Sequence, residues 1–311
     1  MSATFDTFPQ AASVLGRQVD VLFLTLLGVT GIVAVGVAVA IVAFTIRYRH
    51  GSKADRRNPP SGVRWIEITW TATPLAVFLV IFIWSSLLFA QFHRPPPQAM
   101  PIHVVAKQWM WRLEHENGRR EIDELHVPLG QPVELVMTSQ DVIHSFFVPA
   151  FRVKQDVLPG RYTTLWFTAT RAGRFDLFCA EYCGTQHSTM HGDIVVMRPA
   201  EFSRWLASGS AQPDLVARGF DLYRRVGCSG CHEPTSTVHA PDLSGLFGAT
   251  VHLSDGSTVV ADESYLRDSI LLPNKRVVAG FDPVMPSFQG QLDEDDVIAL
   301  IAFIKSKRGG P

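Results

Sequence analysis

The sequence is poor in cysteine, with four in 311 residues. They fall into two close pairs, Cys179/Cys183 and Cys228/Cys231. No thiol is left for a disulfide framework, so cysteine count alone does not report the redox compartment. Charge of one sign is lacking too: 28 Lys and Arg against 29 Asp and Glu give a net charge of −1. No basic stripe exists beyond one short loop, which argues against nucleic acid as a partner. At 311 residues the chain has room for two or more domains, taking about 150 residues for each.

Two stretches lack charge altogether, residues 21–46 and 68–92. Each exceeds the roughly 20 residues that cross a hydrocarbon core as a helix. A secretory signal would have an apolar core of only about 7–15 residues and a small-residue cleavage site, so the first stretch reads as a retained span. The second carries Trp70, Trp84 and, in its first turns, Pro74, where proline does least harm to a helix. Their length and lack of a polar face exclude two buried helices of a soluble core. Between them lie Arg47, Arg49, Lys53, Arg56, Arg57 and Arg64, and positive residues in a short loop mark the cytoplasmic side. The expectation is an N-terminal arm (1–20), a transmembrane hairpin (21–46 and 68–92) around a cytoplasmic loop (47–67), and a large extracytoplasmic remainder.

From 101 to 199, short apolar runs such as Val133–Met137, Tyr162–Thr168 and Asp193–Met197 alternate with Gly and Pro. These read as strands of a Greek-key sandwich. A linker is expected over 200–212 and a last domain over 213–311. There, apolar residues at 297, 300, 301 and 304 give a terminal helix with one buried face.

Inside the β segment, Cys179, Glu181, Cys183, His187 and Met190 fall within twelve residues, and His144 ends an apolar run upstream. Thiolate, imidazole and thioether together form a copper ligand set, the weak methionine being typical of electron-transfer copper. One Cys, one Met and two His would make a mononuclear site. With two Cys separated by three residues, two thiolates bridging two coppers, each with one histidine, is the economical arrangement. Zinc would leave Met190 unused, and a Cys179–Cys183 disulfide would leave both histidines unexplained.

In the last domain, Cys228-Ser229-Gly230-Cys231-His232 is the c-type haem attachment signal, two thioether bonds and an axial histidine. The adjoining His232 and the absence of another cysteine pair count against a zinc knuckle. Met285, between Pro283 and Val284 on one side and Pro286 on the other, is the candidate sixth ligand, with His239 and His252 as rivals.

The pattern Cys-x-Glu-x-Cys-x-x-x-His-x-x-Met with the upstream His-Ser-Phe resembles subunit II of the haem–copper cytochrome c oxidases. The C-terminal motif resembles class I cytochrome c domains, a fusion of the caa3 type. The resemblance spans nearly the whole chain. It implies a membrane-anchored protein with a two-helix hairpin, an all-β cupredoxin-like Greek-key barrel and an all-α cytochrome c domain, at a bacterial inner membrane. It implies a dinuclear CuA centre in which Cys179 and Cys183 bridge, His144 and His187 are terminal ligands, Met190 is a weak ligand and Glu181 ligates through its carbonyl. It also implies magnesium at the subunit I interface through the Glu181 side chain, electron input near Trp109, and proton uptake near Glu67. Many relatives have tyrosine between the two tryptophans, where this chain has Met110. The bland readings are core filling for Trp109 and Trp111 and an interfacial carboxylate for Glu67.

The function so implied is electron input to a proton-translocating oxidase. Electrons come from soluble cytochrome c through haem c to copper and on to subunit I, where oxygen is reduced. The partners would be subunit I, other oxidase subunits, the soluble donor and the bilayer. A copper-assembly protein would have no use for haem, and a nitrous oxide reductase would need a histidine-rich propeller for which the chain has no room. Quinol oxidase subunit II lacks the copper ligands. The acidic residues Glu114, Glu116, Glu121, Asp123 and Glu124 are either a steering patch for a basic cytochrome or plain solvated surface.

Overall fold

The computed structural model describes residues 9–54, 63–209 and 214–307. Parts of the expected arm, cytoplasmic loop, linker and last domain (1–8, 55–62, 210–213 and 308–311) lie outside the described residues.

Two long helices come first, α1 (Val14–Arg47) and α2 (Arg64–Phe92). Apolar side chains point outward all round them: Ile32 is 76% exposed, Phe78 69% and Trp70 67%. Surfaces this apolar suit the hydrocarbon core of a bilayer. Their lengths are about 51 and 44 Å at 1.5 Å per residue, well beyond a hydrocarbon core of roughly 30 Å. The surplus of α1 lies at its start, where the sequence suggested a separate arm. There Ser13 caps the helix by accepting from the Gly16 N–H, Leu15 and Gly16 are buried, and Asp20 pairs with Arg152 at 2.7 Å. The Ala12 N–H donates to Ala150 O, and the Ser13 hydroxyl to Phe151 O. At the far end of α2, the Trp166 indole donates to Gln91 O. Both helices are therefore fastened at one end to the β domain.

That domain has ten strands: β1 (Met100–Lys107), β2 (Met110–His115), β3 (Arg120–Ile122), β4 (Glu124–Pro128), β5 (Pro132–Ser139), β6 (His144–Val148), β7 (Val153–Val157), β8 (Thr163–Thr168), β9 (Gly173–Cys179) and β10 (His191–Met197). They form two five-stranded sheets, β3-β2-β1-β5-β8 and β4-β10-β9-β6-β7. Alternation decides what lies between the sheets: Ile102, Val104 and Ala106 from β1, Val133, Leu135 and Met137 from β5, and Leu177 and Cys179 from β9 belong to one buried core. This is the expected cupredoxin-like sandwich.

The segment 200–212, expected as a linker, is mostly helix: α3 runs Pro199–Ser208. Its Trp205 ring stacks on His126 at 4.2 Å, and the Arg119 guanidinium lies 3.6 Å over it. Phe202 and Trp205, one turn apart, give α3 an aromatic face that the β domain covers.

The last domain is helical: α4 (Leu215–Arg225), the short α5 (Ser229–His232), α6 (Glu263–Leu271) and α7 (Glu294–Ser306), with a small hairpin of β11 (Thr250–His252) and β12 (Thr258–Val260). Helices α4 and α7 cross closely at Gly219. A Cβ there would lie 2.0 Å from Ala299 O.

Candidate metal and haem sites

The register of the second sheet assembles the first site. His144 and Phe146 share a face of β6, and Phe146 pairs with Cys179 at the end of β9. His144, fully buried, therefore lies beside Cys179, with Nδ1 3.9 Å from Sγ. The loop 180–190 leaves at Cys179 and returns at Met190, its base closed by Cys179 N–H donating to Met190 O. Within it, Cys183 Sγ stands 3.7 Å from Cys179 Sγ, 3.5 Å from His187 Nδ1 and 3.8 Å from Met190 Sδ. The Glu181 carbonyl lies 3.3 Å from Cys179 Sγ, while its side chain is exposed. The six residues named from sequence thus converge on one hollow. The donor atoms of His144, Cys179 and Cys183 all lie within 4.8 Å of one another, and both thiols are free.

The surroundings orient these donors. Asp141 Oδ1 lies 2.9 Å from His144 Nε2, so Nε2 carries the proton and Nδ1 keeps its lone pair toward the sulfurs. Burial would raise the Asp141 carboxyl, but hydrogen bonds from Gln108 N–H, His144 and Val142 N–H hold it below the usual range. Burial likewise opposes ionisation of Cys179, yet hydrogen bonding to His144 and to the Glu181 and Ser145 backbone brings that thiol down. Burial and the charge on Cys179 push Cys183 up. Gln108 Nε2 and Trp109 Nε1 both donate to Cys183 O, at 2.7 and 3.2 Å. Gly184, at φ +117°, lets the loop pass beneath them, because a Cβ would meet Gln108 Nε2 at 2.9 Å. Trp111 is the core residue, fully buried edge-on to Phe146, whereas Trp109 is partly buried against the loop. Sequence reasoning missed Asp141 and Gln108, although an acid three residues before His144 was a readable signal.

The second site is a cavity of about 240 Å³ that opens to the surface. Cys228, Cys231, His232 and Met285 all line it, among mainly apolar neighbours such as Leu266 and Leu300. His232 Nδ1 lies 2.9 Å from Pro241 O, which assigns the proton to Nδ1 and leaves Nε2 free as a ligand. His239 also lines the cavity, its ring stacked on Phe281 at 4.6 Å. His252 lies on β11 and is not among the lining residues. Glu67 is exposed in the first turn of α2.

Comparison with known proteins accounts for all three parts of the chain. Residues 2–88 match the family Cytochrome C oxidase subunit II, transmembrane domain, and 113–198 match its periplasmic domain. Residues 216–308 match Cytochrome c. Cytochrome c oxidase subunit 2 of Thermostichus vulcanus is 30% identical over 258 residues, covering 65% of this chain and 78% of that protein. The chain belongs to the cytochrome c oxidase subunit II family. Subunit 2 of Alkalihalophilus pseudofirmus is 28% identical over 293 residues, 88% of this chain and 82% of the relative. Among solved structures, the periplasmic domain of subunit II from Bradyrhizobium japonicum has a TM-score of 0.36 and 30% identity, covering 37% of this chain and 96% of its own. Like its family, this subunit II is a membrane-anchored, electron-input component of a haem–copper oxidase, joined to other oxidase subunits. Its match to the subunit II periplasmic-domain family implies copper, and its cytochrome c domain implies haem c.

Proposed function

We propose that the chain receives electrons from a soluble cytochrome at its last domain and hands them from the Cys179/Cys183 hollow to subunit I. A copper pair and a covalent haem, when bound, each take up and release one electron at a time. Cys179 and Cys183, their sulfurs 3.7 Å apart, would hold the copper pair between them. His144 and His187 flank opposite thiols, and Met190 and the Glu181 carbonyl complete the set as weak ligands. The observation that carries this reading is the donor count: two thiols, two imidazoles, a thioether and a carbonyl in one hollow exceed the four ligands of a single tetrahedral ion. A thioether beside thiols favours copper over zinc. Asp141 orients one imidazole, and the β sandwich keeps the ligand loop in one geometry, which electron transfer rewards in both oxidation states.

Cys228 and Cys231 would hold the haem covalently, and His232 and Met285, which line the same cavity, would ligate its iron. Pro283 and Pro286 stiffen the Met285 loop. Trp109, hydrogen-bonded to the copper loop, provides an aromatic route into that hollow. The exposed Glu181 side chain is free to meet magnesium at the subunit I interface, and Glu67 stands at the membrane boundary where subunit I would take up protons. The copper and cytochrome domains face the extracytoplasmic side of a bacterial inner membrane, by the arginines between the spans.

Metal and haem analysis of the purified oxidase tests the assignment. Two copper atoms and one covalent haem per chain are expected, with a paramagnetic spectrum showing one electron shared over both copper nuclei. A hyperfine pattern from a single copper would rule the bridged pair out.

A further inference from the structure

The outer face of β1, β2 and β5 is not free surface. His103 and Glu114 are 7% and 6% exposed. Val105, Val136 and Tyr162 belong to the same buried cluster as Leu215, Leu222 and Val297 of the cytochrome domain. At the centre of this contact is a knot of charge. Arg218, on α4, donates to Glu114 Oε1 at 2.7 Å and through its other nitrogen to the Asp295 carbonyl at 2.8 Å. Arg120 reaches Glu114 at 3.3 Å and Asp295 at 3.7 Å, and Arg112 pairs with the Asp295 carboxylate. Two arginines and a glutamate from the β domain thus interlock with an arginine and an aspartate from the cytochrome domain. The Glu114 side chain is 7% exposed and that of Asp295 11%.

Burying charges costs desolvation, so such a knot adds little to net stability. It does penalise every pose in which a charge loses its partner. A second feature points the same way. Helix α3 is clasped to the β domain through Ser208 by Arg119, Asn117 and His126, and α4 begins at Leu215, whose N–H donates to Glu116 O. Only 209–214 connect them, a reach of at most about 20 Å fully extended.

We propose that the Glu114–Arg218–Asp295 knot is a clamp that holds the cytochrome domain in one pose on the β1–β2–β5 face, with Arg218 as its positioning residue for electron transfer between the two domains. Resting on the electron-relay reading above, the clamp replaces a roaming tethered domain with a fixed donor. It also removes Glu114 from any role in steering a soluble cytochrome. The external donor then has to approach the cytochrome domain itself.

The test uses the intact oxidase with Glu114→Gln and, separately, Asp295→Asn, which leaves the copper domain untouched. Electrons are injected photochemically into the haem, and copper reduction is followed at low and high salt. The native enzyme should show one phase whose rate does not change with salt. Each variant, with native copper and haem spectra, should show transfer slowed roughly tenfold or more and dependent on salt, since truncating one member of a buried charge pair weakens an interface by at least that factor. A purely structural role would lower thermal stability and leave the rate and its salt response as in the native enzyme. Native rates in both spectrally intact variants would overturn the clamp. Loss of the relay in the native enzyme, or absence of either cofactor, would instead overturn the functional reading beneath it.

Discussion

At the scale of single residues, Glu121 shows how much of an apparently acidic surface is internal. Its carboxylate lies 2.8 Å from His115 Nε2 and 2.5 Å from His126 Nδ1, and accepts from the His126 N–H at 3.1 Å. Burial alone would raise its pKa, but the hydrogen bonds from His115 and His126 win and lower it from 4.5. A carboxylate whose folded value lies below its unfolded one stabilises the fold above the unfolded value and loses that contribution as pH falls through the folded one. Glu121→Gln should therefore cost about 1–3 kcal/mol at neutral pH, and the gap to the native protein should close in acid. Denaturant titrations at both pH values measure it, and an equal loss at each would contradict the charge argument. Glu114, Asp123 and Glu124 are also committed, to Arg218, to the Trp111 N–H and to Arg174. Of the five acids read as a patch, Glu116 alone is exposed. The copper donors were legible because five of them sit within twelve residues. The pairing of Glu114 with Arg218 was not, because Arg218 follows 104 residues later and no local pattern reports it.

At the scale of elements, the periodic signals transferred well. The apolar runs became α1 and α2, the alternating segments became strands, and the stripe at 297, 300, 301 and 304 became α7, which is buried on more than the one expected face because Ile298 and Ala299 are covered as well. The linker did not, because ten residues with two aromatics form a helix only where a neighbouring surface accepts its ring face. Glycine carried meaning that spacing alone did not reveal. Gly219 lets α4 approach the α7 backbone, and a methyl group there would overlap Ala299 O at 2.0 Å and Phe303 Cβ at 2.7 Å. Backbone cannot step aside as a flexible side chain can, so the helices must separate. Gly219→Ala gains helix propensity of nearly 1 kcal/mol yet should destabilise the cytochrome domain by about 1–3 kcal/mol through overpacking. Thermal unfolding followed at the haem absorbance would reveal it, and an unchanged or raised midpoint would mean that the crossing is looser than described.

For the whole molecule, the fastening of both long helices to one domain fixes the relation between membrane and copper. The start of α1 is bound through Ala12, Ser13 and Asp20, and the end of α2 through Gln91. A hairpin so held keeps the β domain against one membrane surface and sends the turn after Arg47 to the other. That turn is rich in arginine, and positive charge in short loops is retained in the cytoplasm. Protease added outside right-side-out cells should therefore spare the segment between Arg47 and Arg64. It should cut beyond Phe92, first between Ser208 and Leu215, where the clasp of α3 ends. In inside-out vesicles the pattern should invert, with cleavage between the helices and protection of both folded domains. The products are distinguishable on a denaturing gel by mass and by covalent haem: outside cleavage after Ser208 gives a haem-bearing piece of roughly 100 residues, whereas cleavage between the helices leaves haem, copper domain and α2 together. Appearance of the roughly 100-residue haem-bearing piece with inside-out vesicles alone would reverse the orientation and place both domains in the cytoplasm.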